Sequence, residues 1–378
     1  MPQRSLLLRR LKSVSMEVLA RPVEGATVTA DIKHYPFLAM VGQEEMKRAL
    51  ILAMLNPMVG GVLLVGPRGT GKTTAVRGLV ELMPPARRSR CPYGCEPQAA
   101  DTWGMDAICP DCAQKLARGE DIMGVDRMRL IELPLNARLD DVVGGIDERV
   151  ALEQKRVHLS RGILSYAHRN VLYIDEVNLL EDEIVDAILD AAALGYYNVR
   201  RGPLVGTYPA RFTLIGSMNP EEGNLRPQIM DRFGLRVIVS GLAEMEKRLE
   251  VYHRVRAFAD NPHQFLALYS PETAAFTEEL VQAKELLSKV TITPEAKQMT
   301  LDLVNTLQIA SSRAEIVTLE AARAHAAADG RTEATVEDVS VVAPMALRQR
   351  RSQFMVGYFE ESEREEEEIK AIMEKAKG

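Results

Sequence analysis

The run Gly66-Pro67-Arg68-Gly69-Thr70-Gly71-Lys72-Thr73 limits what this chain can fold into more than any other feature. The apolar segment Gly61-Val62-Leu63-Leu64-Val65 leads into it, and a helical segment runs from Lys72 to about Leu82, stopped by Pro84-Pro85. Glycines at this spacing let backbone N–H groups close around phosphate oxygens, at a helix N-terminus that favours anions. The pattern assigns the cradle to Gly66, Pro67, Arg68, Gly69, Thr70 and Gly71, with Thr74 just inside the helix. Lys72 is expected to reach the β- and γ-phosphates of a nucleotide, and the Thr73 hydroxyl to bind Mg2+. The plain alternative is a glycine-rich turn that binds nothing. A match at every fixed position, between a strand and a helix, argues against it.

Further apolar, β-branched runs lie at Met128 to Leu133, Val171 to Ile174, Phe212 to Ile215 and Val237 to Val239. Strands alternating with helical segments predict an α/β fold with a mostly parallel sheet. Val171-Leu172-Tyr173-Ile174 ends in Asp175-Glu176, two acids at a strand's C-terminal end, where ligands of parallel sheets collect. In-line phosphoryl transfer gives Asp175 the magnesium ion and Glu176 the attacking water's proton. Asn219, after the next strand, is expected beside Glu176, placing the water. Arg232, in Asp231-Arg232-Phe233, ends the following helix. It is poorly placed for its own phosphate loop but suited to a neighbour's γ-phosphate; a surface ion pair with Asp231 is the alternative.

Beyond about Leu242 strand signals give way to helical ones. Thr293-Pro294 opens a helix with Ala296, Met299, Leu303, Leu307 and Ala310 on one face. Ser312 and Glu315 predict a capping box for the next, which ends at Gly330; Thr335 and Asp338 cap another more loosely. Arg313 falls in a first helical turn, where the dipole disfavours a cation. A role at the γ-phosphate accounts for it, as does a tolerated surface arginine.

Acidic residues outnumber basic ones, 53 to 47, for a formal charge of −6, and aromatics are 5% of the chain. Non-specific wrapping of nucleic acid and base-stacking surfaces are therefore disfavoured. No apolar run approaches the roughly 18 residues of a membrane span, and Leu6-Leu7-Leu8 is too short for a signal-peptide core. The expected location is cytoplasmic.

Taken together these residues resemble the AAA+ ATPases, and within them the I subunit of magnesium chelatase. The likeness extends to Tyr35-Pro36-Phe37, Val41-Gly42-Gln43, Val171 through Leu180, and Pro209-Ala210-Arg211-Phe212 running to Asn219-Pro220-Glu221-Glu222-Gly223. It closes with Leu225-Arg226-Pro227-Gln228 and Asp231-Arg232-Phe233-Gly234-Leu235, and covers about Tyr35 to Arg351. The resemblance implies an αβα nucleotide-binding domain with β-hairpin insertions, one of them in Asn198 to Tyr208, an earlier insertion in Val143 to Tyr166, and an all-helical C-terminal lid. It also implies a homo-oligomeric ring, usually hexameric, that binds MgATP between subunits. The ring works with a D-type subunit bearing an integrin-like domain and a porphyrin-binding H-type subunit that inserts Mg2+ into protoporphyrin IX. On this pattern Asn219 is the sensor, Arg232 the finger acting in trans, and Arg313 the lid arginine. The expected organisation is an extension at 1–34, the nucleotide-binding domain at 35–241, a helical linker at 242–285, the lid at 286–351 and an acidic tail at 352–378. Glu360 to Glu368 holds seven glutamates of that tail.

One segment departs from the resemblance. An insertion at about 86–127 carries every cysteine of the chain, spaced Cys91-x3-Cys95-x13-Cys109-x2-Cys112. Four thiolates so spaced suit a tetrahedral Zn2+ site; a thiol–disulfide switch and four unligated thiols are the alternatives. The six histidines show no metal spacing. Two other readings stay open: a chelatase-like motor that remodels a different integrin-like-domain partner, and a DNA-associated motor kept in view by Arg200-Arg201 in the expected hairpin.

Overall fold

The computed structural model describes residues 33–104, 107–146, 159–202 and 204–351. All but the last two residues of the expected N-terminal extension, the acidic tail and the middle of the Val143 to Tyr166 segment lie outside them.

In chain order, α1 (Glu44–Leu55) precedes β1 (Val62–Val65) and α2 (Lys72–Glu81). The cysteine-bearing insertion contributes β2 (Ala86–Ser89), α3 (Ala99–Trp103), α4 (Pro110–Ala117) and β3 (Met123–Asp126). Then come β4 (Leu130–Leu133), α5 (Leu139–Val143), α6 (Ile163–Ala167), β5 (Val171–Ile174) and α7 (Asp182–Leu194). The hairpin β6 (Tyr196–Arg201) and β7 (Leu204–Pro209) follows, as expected, before β8 (Thr213–Met218), α8 (Pro227–Arg232) and β9 (Leu235–Ile238).

Five strands form one parallel sheet in the order β4-β5-β8-β1-β9. The central strands β1 and β5 are buried at every position, which is why they read as unbroken apolar runs. Alternation then sorts their side chains into two layers. Leu64, Val171, Tyr173, Ile215 and Val237 face α1 and α2, whereas Leu63, Leu172, Ile174 and Leu214 face α5, α6 and α7.

The C-terminal part is helical: α9 (Met245–Asp260), α10 (Pro262–Leu287), α11 (Pro294–Thr306), α12 (Arg313–Ala328) and α13 (Val336–Leu347), with a two-stranded pairing of β10 (Thr291–Ile292) and β11 (Glu333–Ala334). Buried alanines at 314, 321, 322 and 324 let α12 pack closely between α13 and α1. Thr293 caps α11 by accepting from the Ala296 N–H at 3.3 Å, and the Thr335 N–H donates to Asp338 Oδ2 at 2.8 Å. The capping box expected at Ser312 does not form. Ser312 has helical backbone angles, φ −62° and ψ −7°, so its hydroxyl cannot fold back over the first turn.

Asp231 at the end of α8 is one of the points that tie the C-terminal helices to the sheet domain, beside Arg348–Glu45 and Asn56–Glu320. Asp231 Oδ1 accepts from Arg350 Nη1 at 2.5 Å, and its Oδ2 accepts from Ser311 Oγ at 2.8 Å and lies 3.7 Å from Arg313 Nη1. Arg350, wholly buried, also donates to the carbonyls of Phe233 and Gly234. Every group of this cluster is thus paired across the two layers.

Candidate functional site

The C-terminal ends of β1, β5 and β8 converge on a cavity of about 330 Å3, bounded by Gly69, Lys72, Thr73, Asp175, Glu176 and Asn219 among others. Two glycines of the loop are required for different reasons. A Cβ at Gly66 would lie 1.9 Å from the Val239 carbonyl oxygen, so close approach of the chain just after β9 excludes any side chain. Gly69 has open space around it but a φ of +79°, a conformation that other residues adopt only at a cost. Lys72 lies almost buried behind the loop, its Nζ donating to the Gly66 and Pro67 carbonyls at 2.7 and 2.8 Å. Burial pulls its pKa below the ordinary lysine value, opposed by Asp175, Glu176 and Glu222. A partly dehydrated cation in the first turn of α2, where free N–H groups favour anions, fits a phosphate chain.

One hydrogen-bonded network joins this loop to the acidic strand end. Thr73 Oγ1 lies 3.0 Å from the Tyr173 hydroxyl and 3.4 Å from Asp175 Oδ2, and the Tyr173 hydroxyl donates to Asp175 Oδ1 at 2.9 Å. Period-two alternation along β5 puts Tyr173 and Asp175 on the same face, toward α2. Burial pushes the Tyr173 phenol well above its usual pKa, so it remains a donor at neutral pH. Because β8 lies between β1 and β5, its Ser217 reaches both acids. The Ser217 hydroxyl donates to Asp175 Oδ1 and accepts from the Glu176 N–H at 3.1 Å. Hydroxyl and carboxylate oxygens gathered around Asp175 are the hard donors that Mg2+ prefers. The residues therefore fit the metal–nucleotide pair that the phosphate loop implies.

Glu176 is held in a left-handed backbone conformation, φ +53° and ψ +55°, which for a non-glycine residue costs about 1–3 kcal/mol. It ends β5 directly after Asp175 and starts the turn Val177–Leu179. Its Oε1 accepts from Arg68 Nε at 3.0 Å, so a phosphate-loop arginine spans the cavity mouth to the expected general base.

Asn219 lines the same cavity as Glu176, and its Oδ1 accepts from the Glu221 N–H at 3.3 Å. The β8 side chain that bonds the Glu176 backbone is Ser217, which sequence reading did not single out. Arg232 lies outside the cavity, its Nη1 3.2 Å from Asp186 Oδ1 and 2.9 Å from Asp190 Oδ1 on α7. The alternative pairing with Asp231 is therefore not made, because the lid arginines occupy that carboxylate. Arg313 is not brought to the cavity either. Asp231 beside it accounts for a cation at a helix N-terminus without a phosphate. His325 sits near Asp329 and Asp338, but Arg331 Nη1 donates to Asp338 Oδ2 at 2.8 Å and already balances that cluster.

The chain is similar to known proteins over most of its length. A family model described as "Magnesium chelatase, subunit ChlI" matches residues 148–243, and one described as "AAA lid domain" matches 302–372. A magnesium-chelatase subunit ChlI homolog of Methanocaldococcus jannaschii is 43% identical over 323 residues, 85% of this chain and 87% of that protein. The magnesium-chelatase 38 kDa subunit of Acidiphilium rubrum is 44% identical over 317 residues, covering 84% and 90%. The crystal structure of a candidate ATPase from Cytophaga hutchinsonii, 20% identical, covers 82% of this chain and 83% of that one at a TM-score of 0.54, a likeness of fold.

Proposed function

Since the chain belongs to the magnesium-chelatase subunit I family of AAA+ ATPases, we propose that it is the ATP-hydrolysing motor of a magnesium chelatase. The observation that supports this most directly is the Thr73–Tyr173–Asp175–Ser217 network, which ties a phosphate loop to an acidic strand end with Glu176 alongside.

In this reading the loop amides and Lys72 bind the β- and γ-phosphates of ATP. Magnesium, held by Thr73 and Asp175, supplies charge neutralisation along the phosphate chain. Glu176 accepts the proton of the attacking water, and Asn219 orients that water. Ser217 positions both acids by bonding the Asp175 carboxylate and the Glu176 backbone. Arg232 serves the γ-phosphate of the adjoining subunit in a ring of copies, usually six in this family, while Arg313 stays with the Asp231 cluster that ties the lid to α8. The ring acts with a D-type subunit carrying an integrin-like domain, and on a porphyrin-binding H-type subunit that inserts Mg2+ into protoporphyrin IX for chlorophyll or bacteriochlorophyll. A second reading keeps the motor and changes the client; the M. jannaschii relative is named only as a homolog of the chelatase subunit. Movement along DNA has less support, because Arg201 of the hairpin is bonded to Asp140 and the Gly144 carbonyl.

The test follows metalloporphyrin fluorescence with competent H- and D-type subunits, MgATP and this chain. Product that depends on the chain, and is lost in Lys72→Ala and Glu176→Gln, is the expected result. Glu176→Gln keeps ATP binding while hydrolysis falls about 100-fold or more. ATP hydrolysis without metalloporphyrin sinks the chelatase assignment and leaves the motor with another client.

A further inference from the structure

The insertion between α2 and β4 is the one segment whose packing the nucleotide site does not explain. Its small core is separate from the two layers flanking the sheet. Of its seven buried apolar side chains three are cysteines, Cys95, Cys109 and Cys112, with Cys91 half-buried against them. A core of this size does not hold two short helices and a two-stranded ribbon on its own; segments so small are usually cross-linked by metal or disulfide.

The cysteines come from two places. Cys91 and Cys95 lie in the turn after β2, Cys109 precedes α4, and Cys112 sits in its first turn. All four Sγ atoms lie within 4.8 Å of one another, and none is in a disulfide. Zinc at about 2.3 Å from each sulfur requires S···S separations of about 3.8 Å, which fall inside that bound. Disulfide chemistry accounts for two partners at a time and gives no reason for four sulfurs to share one point. The backbone prepares for thiolates: the Cys95 N–H points at Cys91 Sγ and the Cys109 N–H at Cys95 Sγ, each at 3.3 Å. Ser89 Oγ lies 3.9 Å from Cys112 Sγ. Amide donors aimed at sulfur stabilise the negative charge that four thiolates bring to a divalent ion.

We propose that Cys91, Cys95, Cys109 and Cys112 bind one zinc ion in a tetrahedral site, and that this ion holds the insertion against the β6–β7 hairpin. Binding converts four thiols to thiolates and releases four protons to solvent, with no change in oxidation state. The second half of the assignment rests on aromatic contacts made by the loops between the ligands. Trp103 packs on Tyr196, the first residue of β6, with ring centroids 4.9 Å apart. Arg161 stacks its guanidinium on both Tyr93, from the Cys91–Cys95 turn, and Tyr208 of β7, 4.9 Å from each centroid. Tyr93 also meets Tyr166 of α6 at 4.8 Å. The site therefore braces the root of the hairpin, outside the nucleotide cavity.

Trp103 is the only tryptophan of the chain, so it reports on this contact alone. The full chain, purified reduced from zinc-supplemented cells, is expected to hold one zinc per copy. Cobalt alone, added to the stripped protein, gives the absorption of a tetrahedral thiolate complex. Stripping with a chelator moves Trp103 emission to the red and added zinc restores it, while ATP binding persists. Cys112→Ser lowers zinc affinity about 100-fold or more, and Cys112→His, which keeps a ligand, recovers most of it. Should Cys112→Ser fail to fold, the cobalt and zinc titrations of the unaltered chain decide the question. Metal far below one per copy with no cobalt–thiolate absorption overturns the site, as does a disulfide between any two of the four in the native reduced preparation. Zinc that binds without moving Trp103 emission overturns the brace.

Discussion

Arg68 Nη2 lies 2.9 Å from Glu176 Oε1 and 2.5 Å from Glu222 Oε1, so one guanidinium from the phosphate loop bridges two glutamates across the cavity mouth. Arg68 is 69% exposed, and such a pair is worth at most about 1 kcal/mol. Releasing it frees Glu176 to receive a proton. Arg68→Ala is expected to raise turnover at saturating ATP, by no more than about fivefold. A tenfold fall would instead mean that Arg68 itself steadies charge during phosphoryl transfer, and steady-state ATPase kinetics read the sign directly.

Arg232 is 30% exposed and paired only with Asp186 and Asp190 among the described residues. Arg232→Ala alone is expected to abolish hydrolysis, by about 1000-fold, with little loss of ATP affinity. Mixed with a Lys72→Ala chain, it should recover part of that activity, since a sound loop then meets a sound finger at some interfaces. Titrating one variant into the other and finding no recovery at any ratio places the arginine in cis or in a structural role.

Asp231 is the counter-ion of two buried arginines. Burial and the neighbouring Arg350 pull Arg236 down to about 10 while Asp231 opposes them. Asp231→Ala leaves both guanidiniums without their carboxylate, at a cost of about 3 kcal/mol, and Tm is expected to fall by about 5–10 °C. Arg313→Ala, which removes a half-exposed partner, should cost less than about 1 kcal/mol. Thermal melts without nucleotide separate the two; equal losses contradict the ranking.

His168 gives the fold an acid limit. It is 2% exposed, its Nδ1 accepts from the Arg211 N–H at 3.1 Å, and burial together with Arg169, Arg211, Arg161 and Arg88 lowers its pKa to about 4. The unfolded chain binds the proton below about 6.5 and the folded chain only below about 4. Stability from this group is therefore complete above pH 6.5 and is lost as pH falls through that window, by about 3 kcal/mol in all. Urea unfolding of the unaltered chain and of His168→Gln at pH 7 and pH 4.5 should show a smaller acid loss in the variant. Parallel curves exclude His168 as the source.

The parts of the site that were legible in the sequence are contiguous strings whose chemistry depends on local spacing. Gly66 to Thr73 and Asp175-Glu176 carry their meaning within one strand end. Ser217 does not: a serine inside an apolar strand says nothing until β8 is known to lie between β1 and β5. Tyr173 is nearer to legible, since alternation puts it on the face of Asp175, but its reach to Thr73 depends on the α2 packing. Asp231 reads as half of a local Asp-Arg pair and becomes an anchor of the lid only through Arg350, 119 residues later. Ser312 failed as a cap because its own backbone had already entered the helical region.

Asp231 and Arg232 are joined by a single peptide bond, yet one is bonded to the chain's own lid and the other is turned onto the acids of α7. A rotation of the lid that carries Arg350 with it therefore pulls on α8 at the residue beside the proposed finger. If the copies are arranged in a ring with Arg232 at the seam, nucleotide sites cannot fire independently: the posture of each lid is handed to the next subunit's γ-phosphate over the length of one residue.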